Sequence, residues 1–75
     1  MHHDVELNAL GLRCPLPLLR TKELLRTIDP GQVLMVVADD PQAPRDIELY
    51  VTKAGHTLVL TTPMDKGQAF YIQKR

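Results

Sequence analysis

The sequence predicts an α/β (α+β) fold, a two-layer sandwich of order β-α-β-α-β-β in which a four-stranded mixed sheet carries both helices on one face. Three observations predict it. Apolar residues alternate near the start, form an unbroken run in the middle and return in two β-rich runs at the end; two stretches of helical periodicity lie between them; turn-forming residues separate the pieces. One helix between each of the first three strands implies right-handed crossovers, and these place both helices on the same side of the sheet.

The elements follow in order. Val5, Leu7 and Ala9 alternate with polar neighbours, the mark of a short, half-buried first strand. Gly11 lets the chain turn, and Pro15 offers the fixed φ of a first helical position, so a helix is expected from about Pro15 to Thr27. On its wheel Leu18, Thr21, Leu24, Leu25 and Ile28 share a stripe, with Arg20, Glu23 and Arg26 facing away. Asp29-Pro30-Gly31 stops it. Gln32 to Ala38 shows no polar face, as expected of a central strand parallel to its neighbour. Ile47, Tyr50, Val51 and Ala54 then recur at helical spacing before Gly55. Asp40 could cap this second helix, but Pro44 favours a start at Pro44 itself. Thr57 to Thr62 and Gln68 to Gln73 are strands joined by Pro63-Met64-Asp65-Lys66-Gly67, a hairpin connection.

Seventy-five residues, 44% of them hydrophobic, make one domain over residues 1–75, and its single cysteine can form no internal disulfide. Nine basic and nine acidic residues cancel, so no global field draws nucleic acid or an anionic membrane. The longest apolar run, Val33 to Ala38, is too short to span a bilayer, and the start has no signal pattern, so a cytoplasmic location is the expectation. No Cys/His spacing resembles a zinc site, and neither metal nor cofactor is expected. His2 and His3 are adjacent near a terminus, where expression remnants are common, and His56 is isolated. Asp39, Asp40 and Asp46 are explained as caps and first-turn acids.

Cys14 concentrates the chemistry. It sits at the junction of loop and helix, where the macrodipole and unpaired N–H groups favour thiolate, and Arg13 adds a neighbouring cation. With Cys14 as N-cap, Pro15 and Pro17 carry no N–H, which leaves those of Leu16 and Leu18 to hold the sulfur. The alternative is a small buried hydrophobe, although flanking arginine and prolines make a poor burial site. Leu16 and Leu19 lie off the buried stripe and could ring the thiol as a docking rim, unless the Leu10-Gly11-Leu12 loop folds over them. Arg20, Lys22 and Arg26 make a modest basic side, mainly a solvated face, that could guide an acidic partner or a tRNA-bound enzyme. A lone cysteine cannot run a dithiol cycle, so any resolving thiol belongs to another protein.

The run Leu10-Gly11-Leu12-Arg13-Cys14-Pro15-Leu16-Pro17 resembles the Gly-x-x-Cys-Pro-x-Pro signature of the TusA/SirA family of small sulfur-relay proteins. Pro30-Gly31, Ala38-Asp39-Asp40-Pro41, Arg45-Asp46-Ile47 and Gly55-His56 extend the resemblance from about Leu7 to Arg75. The resemblance implies a cytoplasmic sulfur carrier, or carrier-type sulfurtransferase, in which Cys14 accepts sulfane sulfur as a persulfide. Gly11, Arg13, Pro15 and Pro17 would shape the site, and Leu16, Leu19 and Arg20 would meet partners. A cysteine desulfurase or rhodanese-like protein would be the donor and another protein the acceptor. Two departures concern the pathway: Asn8 stands where the family commonly has aspartate, and Leu16 where members serving tRNA thiolation often have glutamate. Pro44 lies in a segment often rich in threonine. Rival classes are a regulatory or RNA-binding adaptor and a thiol redox sensor. Few exposed aromatics, among Tyr50, Phe70 and Tyr71, weigh against direct RNA contact.

Overall fold

The computed structural model describes residues 2–75. Its elements are β1 (Val5–Ala9), α1 (Leu16–Leu25), β2 (Val33–Ala38), α2 (Ala43–Ala54), β3 (Thr57–Pro63) and β4 (Gln68–Gln73). The sheet order is β1-β2-β4-β3. β2 is central, parallel to β1 and antiparallel to β4, and β3 closes the far edge as the hairpin partner of β4. The expected element order and mixed sheet are therefore present, with both helices packed on one face.

Alternation explains which face is covered. Register pairs Leu7 with Val36 and Val36 with Phe70, and likewise Leu34 with Ile72; these side chains point to the helices, all buried except Leu7, which is half-buried against the core. From the helical layer Leu25, Ile47 and Val51 meet them, each at most 2% exposed. The opposite face of the sheet has no helix over it. Met35, Val37 and Tyr71 are accordingly only half-buried there, although β2 has no polar side chain.

The buried stripe of α1 is rotated from its expected position. Pro17, Thr21 and Leu25 are buried within the helix and Ile28 beyond it, whereas Leu18 is half-buried and Leu24 packs on the margin of the core. The spacing of positions 17, 21, 25 and 28 is as helical as the one expected; what shifts it is the Pro17 ring, an apolar group in the first turn. Thr21 is tolerated with no exposure because its hydroxyl donates to the Pro17 carbonyl at 2.8 Å.

Helix α2 starts at Ala43, one residue earlier than Pro44, because Pro44 falls in the first turn, where a missing N–H costs no intrahelical bond. Gly55, at φ 81°, ends it as a left-handed C-cap, and the N–H of His56 returns to the Val51 carbonyl at 3.0 Å. The hairpin between β3 and β4 closes from Met64 N–H to the Gly67 carbonyl. Gly67, at φ 71°, packs so tightly on the end of β2 that an added Cβ would stand 2.1 Å from the Ala38 carbonyl oxygen. This hairpin thereby braces the β2–α2 connection, the segment that holds the site together.

Candidate active site

Two connections and a helix turn meet at one end of the sheet: β1 to α1 with Cys14, β2 to α2 with Asp39 and Asp40, and the first turn of α2 with Asp46. Cys14 is exposed, as the loop composition suggests. It is not the N-cap: Pro15 occupies that place and α1 begins at Leu16, so the thiol stands two residues before the helix. A turn accounts for the shift. The N–H of Leu16 donates to the Arg13 carbonyl at 2.8 Å across a cis Cys14–Pro15 peptide, and the N–H of Leu19 donates to Pro15. The Leu16 donor expected to hold the sulfur is therefore engaged elsewhere.

Arg13 also departs from expectation. Its guanidinium meets Asp39 at 3.0 Å, and the same carboxylate oxygen accepts the N–H of Gly11, also at 3.0 Å. Asp39 is thus a clamp on the cysteine loop, not a helix cap. Gly11 adopts φ 81°, which gives it the role in shaping the loop that its position suggests. Asp40 is not the cap either, since Gln42 holds that place without a side-chain cap bond; Asp40, 8% exposed, instead forms a turn just before α2, receiving the N–H of Gln42 on its side chain and that of Ala43 on its carbonyl, and only Asp46 keeps its expected place as a first-turn acid.

Facing the sulfur is Asp46, whose Oδ2 lies 3.5 Å from Sγ in position to accept the S–H. This hydrogen bond and partial desolvation, with the charges of Asp46 and Asp40, push the Cys14 thiol up from its ordinary value. The local environment of the free protein therefore favours thiol, opposite to the thiolate expected from helix position and Arg13. The physical reason is that a carboxylate fills the place beside the sulfur while the nearby cation is paired with Asp39. Sequence reasoning passed over Asp46 and Asp39 as site residues because first-turn and capping roles explained them locally. The only sequence signal was their presence in the ordered Ala-Asp-Asp-Pro and Arg-Asp-Ile matches.

The other expected site residues fall as follows. Pro17 is buried and anchors the first turn. Leu16 and Leu19 remain 41% and 43% exposed, so the preceding loop does not cover them. Arg20 is on the same open side, 4.0 Å from Glu23. A shallow groove runs from Asp46 between the helices, lined by Leu18, Lys22, Leu49, Tyr50 and Lys53, with the Lys22 ammonium 5.0 Å from the centre of the Tyr50 ring. Asn8 accepts the Leu10 N–H at 3.0 Å, so the amide forms the turn at the end of β1 without a charge. Among the described residues no three His, Cys, Asp or Glu side chains come together as a metal site, and no helix is long and apolar enough to cross a membrane.

The site is thus an accessible thiol on a braced loop, set at one end of an open α+β sandwich. The sequence matches the family of the sulfurtransferase TusA over residues 5–74, and the chain belongs to that family. Its fold is similar to that of the SirA-like protein from Desulfitobacterium hafniense, with a TM-score of 0.79 at 22% identity, over 93% of this chain and 95% of that one. The family supports a sulfur-transfer role.

Proposed function

We propose that the chain, acting as one domain in the cytoplasm, is a sulfur carrier that holds sulfane sulfur as a persulfide on Cys14. A single observation carries this reading: in a chain of the TusA family, the sole cysteine lies exposed on the loop before α1. The thiolate of Cys14 attacks the outer sulfur of a donor persulfide, a new S–S bond forms as the donor's breaks, and the donor leaves as a thiol after taking up a proton. An acceptor cysteine then repeats the attack on the sulfur carried by Cys14. The sulfur keeps its oxidation state through both steps, so no oxidant, metal or cofactor enters.

The donor is a cysteine desulfurase or a rhodanese-like protein, and the acceptor is a protein thiol. Leu16 and Leu19, exposed beside Cys14, supply an apolar rim for docking, with Arg20 at its edge, and direct contact with nucleic acid is not part of the reaction. Gly11, Arg13, Pro15 and Pro17 keep the thiol presented. The test is intact-mass measurement without reductant after incubation with a desulfurase and cysteine. A one-sulfur adduct that is absent from Cys14→Ser is expected; no adduct with desulfurase or rhodanese donors would defeat the reading.

A further inference from the structure

Cys14 has an acid as its hydrogen-bonding neighbour, an unexpected companion for a nucleophile. The charged groups around it come from three elements: Asp46 on α2 at 3.5 Å, Asp40 on the β2–α2 turn, and Arg13 on its own loop. Arg13 offers no relief, because its guanidinium is turned to Asp39. A carboxylate within hydrogen-bond reach keeps the proton on sulfur and opposes negative charge developing there. A thiol with a raised pKa is slower at neutral pH, since the thiolate population falls faster than its intrinsic nucleophilicity rises. The site is therefore arranged to be quiet when alone.

We propose that Asp46 keeps Cys14 closed as a thiol until a sulfur donor sets a cationic side chain against the Asp46 carboxylate, so that the nucleophile is released only within the donor complex. The inference rests on the reading of Cys14 as the sulfur-accepting group, and it adds the chemistry of the partner: a lysine or arginine beside the donor persulfide. In that complex the cation pairs with Asp46, the Cys14 proton passes to solvent, and the sulfur attacks the donor's outer sulfur. One S–S bond forms, one breaks, and the departing donor sulfur takes a proton from solvent. Asp46 is a positioning residue in this scheme, since it acts through the thiol and not on the transferred sulfur. The same device restrains off-path reaction of a free, exposed cysteine with small oxidants and disulfides.

The test uses the whole protein and small thiol reagents of opposite charge. Cationic trimethylammonioethyl methanethiosulfonate and anionic sulfonatoethyl methanethiosulfonate each transfer their charged alkylthio group to the cysteine thiolate as a mixed disulfide and release methanesulfinate, so their rates read the field at Sγ directly. Relative to free cysteine, the wild type should favour the cationic over the anionic reagent by about 25-fold, since one unit charge felt at contact distance through water gives roughly fivefold attraction of the one and fivefold repulsion of the other. Asp46→Asn should lose most of that preference, react severalfold faster with neutral iodoacetamide near pH 7, and show its pH–rate profile moved to lower pH, while Asp46→Glu retains the wild-type pattern. In the wild type alone, about 1 M salt, where the screening length is roughly 3 Å, should erase the preference without any substitution. An unchanged charge preference and pH profile in folded Asp46→Asn, or a wild-type preference insensitive to salt, overturns the proposal. Neither readout needs a donor protein, so failure of persulfide loading with the reagent pattern intact would sink the carrier reading and leave the carboxylate's control of the thiol standing.

Discussion

Asp39 binds the cysteine loop at two points, and its protonation decides whether that loop is held. The Gly11 N–H and then the Arg13 guanidinium keep its carboxyl below the ordinary carboxylate range. A depressed folded-state pKa contributes stability above the unfolded value and loses it as pH falls through the folded one. The clamp therefore persists through neutral and mildly acidic pH and releases only in stronger acid. Asp39→Ala should abolish hydrogen-exchange protection at the Gly11 amide while leaving the amides of β2 and β4 protected; equal loss across the sheet would show that Asp39 serves the fold and not the loop. Cys14, Arg13 and the loop were legible in the sequence as neighbours. Their electrostatics were not, because the partners that set them, Asp39 and Asp46, lie 26 and 32 positions away along the chain. Local reasoning gave Arg13 to the sulfur, and the fold gives it to a carboxylate.

At the scale of elements, α1 has separate stabilising and outward-facing sides. Pro17, Thr21 and Leu25 hold it to the sheet, while Leu16 and Leu19 face outward. Replacing Leu16 and Leu19 with serine should change unfolding free energy by no more than about 0.5 kcal/mol each, as for ordinary surface sites, yet slow sulfur transfer from the donor. Urea unfolding together with a transfer time course distinguishes this from a structural effect; marked unfolding would refute the docking rim. The β3–β4 turn offers a second contrast. Gly67→Ala forces a Cβ into the Ala38 carbonyl and Asp39 backbone, whereas Gly31→Ala, also at positive φ, meets no atom within 4 Å. Gly31→Ala should cost about 1–2 kcal/mol in backbone conformation. Gly67→Ala should cost that plus roughly 1–3 kcal/mol of overpacking, read from the two urea midpoints. The existence of both elements was visible from periodicity and turn residues, and their bounds to within one or two residues, α1 running over Leu16–Leu25 where Pro15 to Thr27 is expected; the rotation of the α1 stripe was not, since a proline in a first turn signals a helix start and says little about which side it packs on.

The whole molecule is one sheet with one helical layer, so its stability depends on a small set of side chains between them. Phe70 is 1% exposed at the centre of that set, and Phe70→Ala should cost about 3–5 kcal/mol. That is much of the roughly 5–15 kcal/mol available to a typical folded protein, and chemical denaturation should show a folded fraction sharply reduced at mild urea concentrations. The element order and the shared side of the helices followed from the alternation of helical and strand patterns and from crossover handedness. The strand order did not. A hairpin signal pairs β3 with β4 but is silent about which of them lies next to β2; burial decides, because Ala69, Phe70 and Ile72 of β4 are covered whereas Val59 and Leu60 of β3 stay exposed at the edge.

The two poles of the sheet differ in what they carry. At the pole away from Cys14, Asp4 is joined to Val33, Gly31 to Lys74 and the Arg75 N–H to His56, all contacts that fasten strand starts and chain ends. Residues 2–4 and 73–75 thus emerge on the side remote from the thiol. Immobilising the protein on a resin through a C-terminal peptide handle would orient Cys14 towards solution, and the same geometry would let the chain serve as a tethered module whose reactive end stays free to visit successive partners.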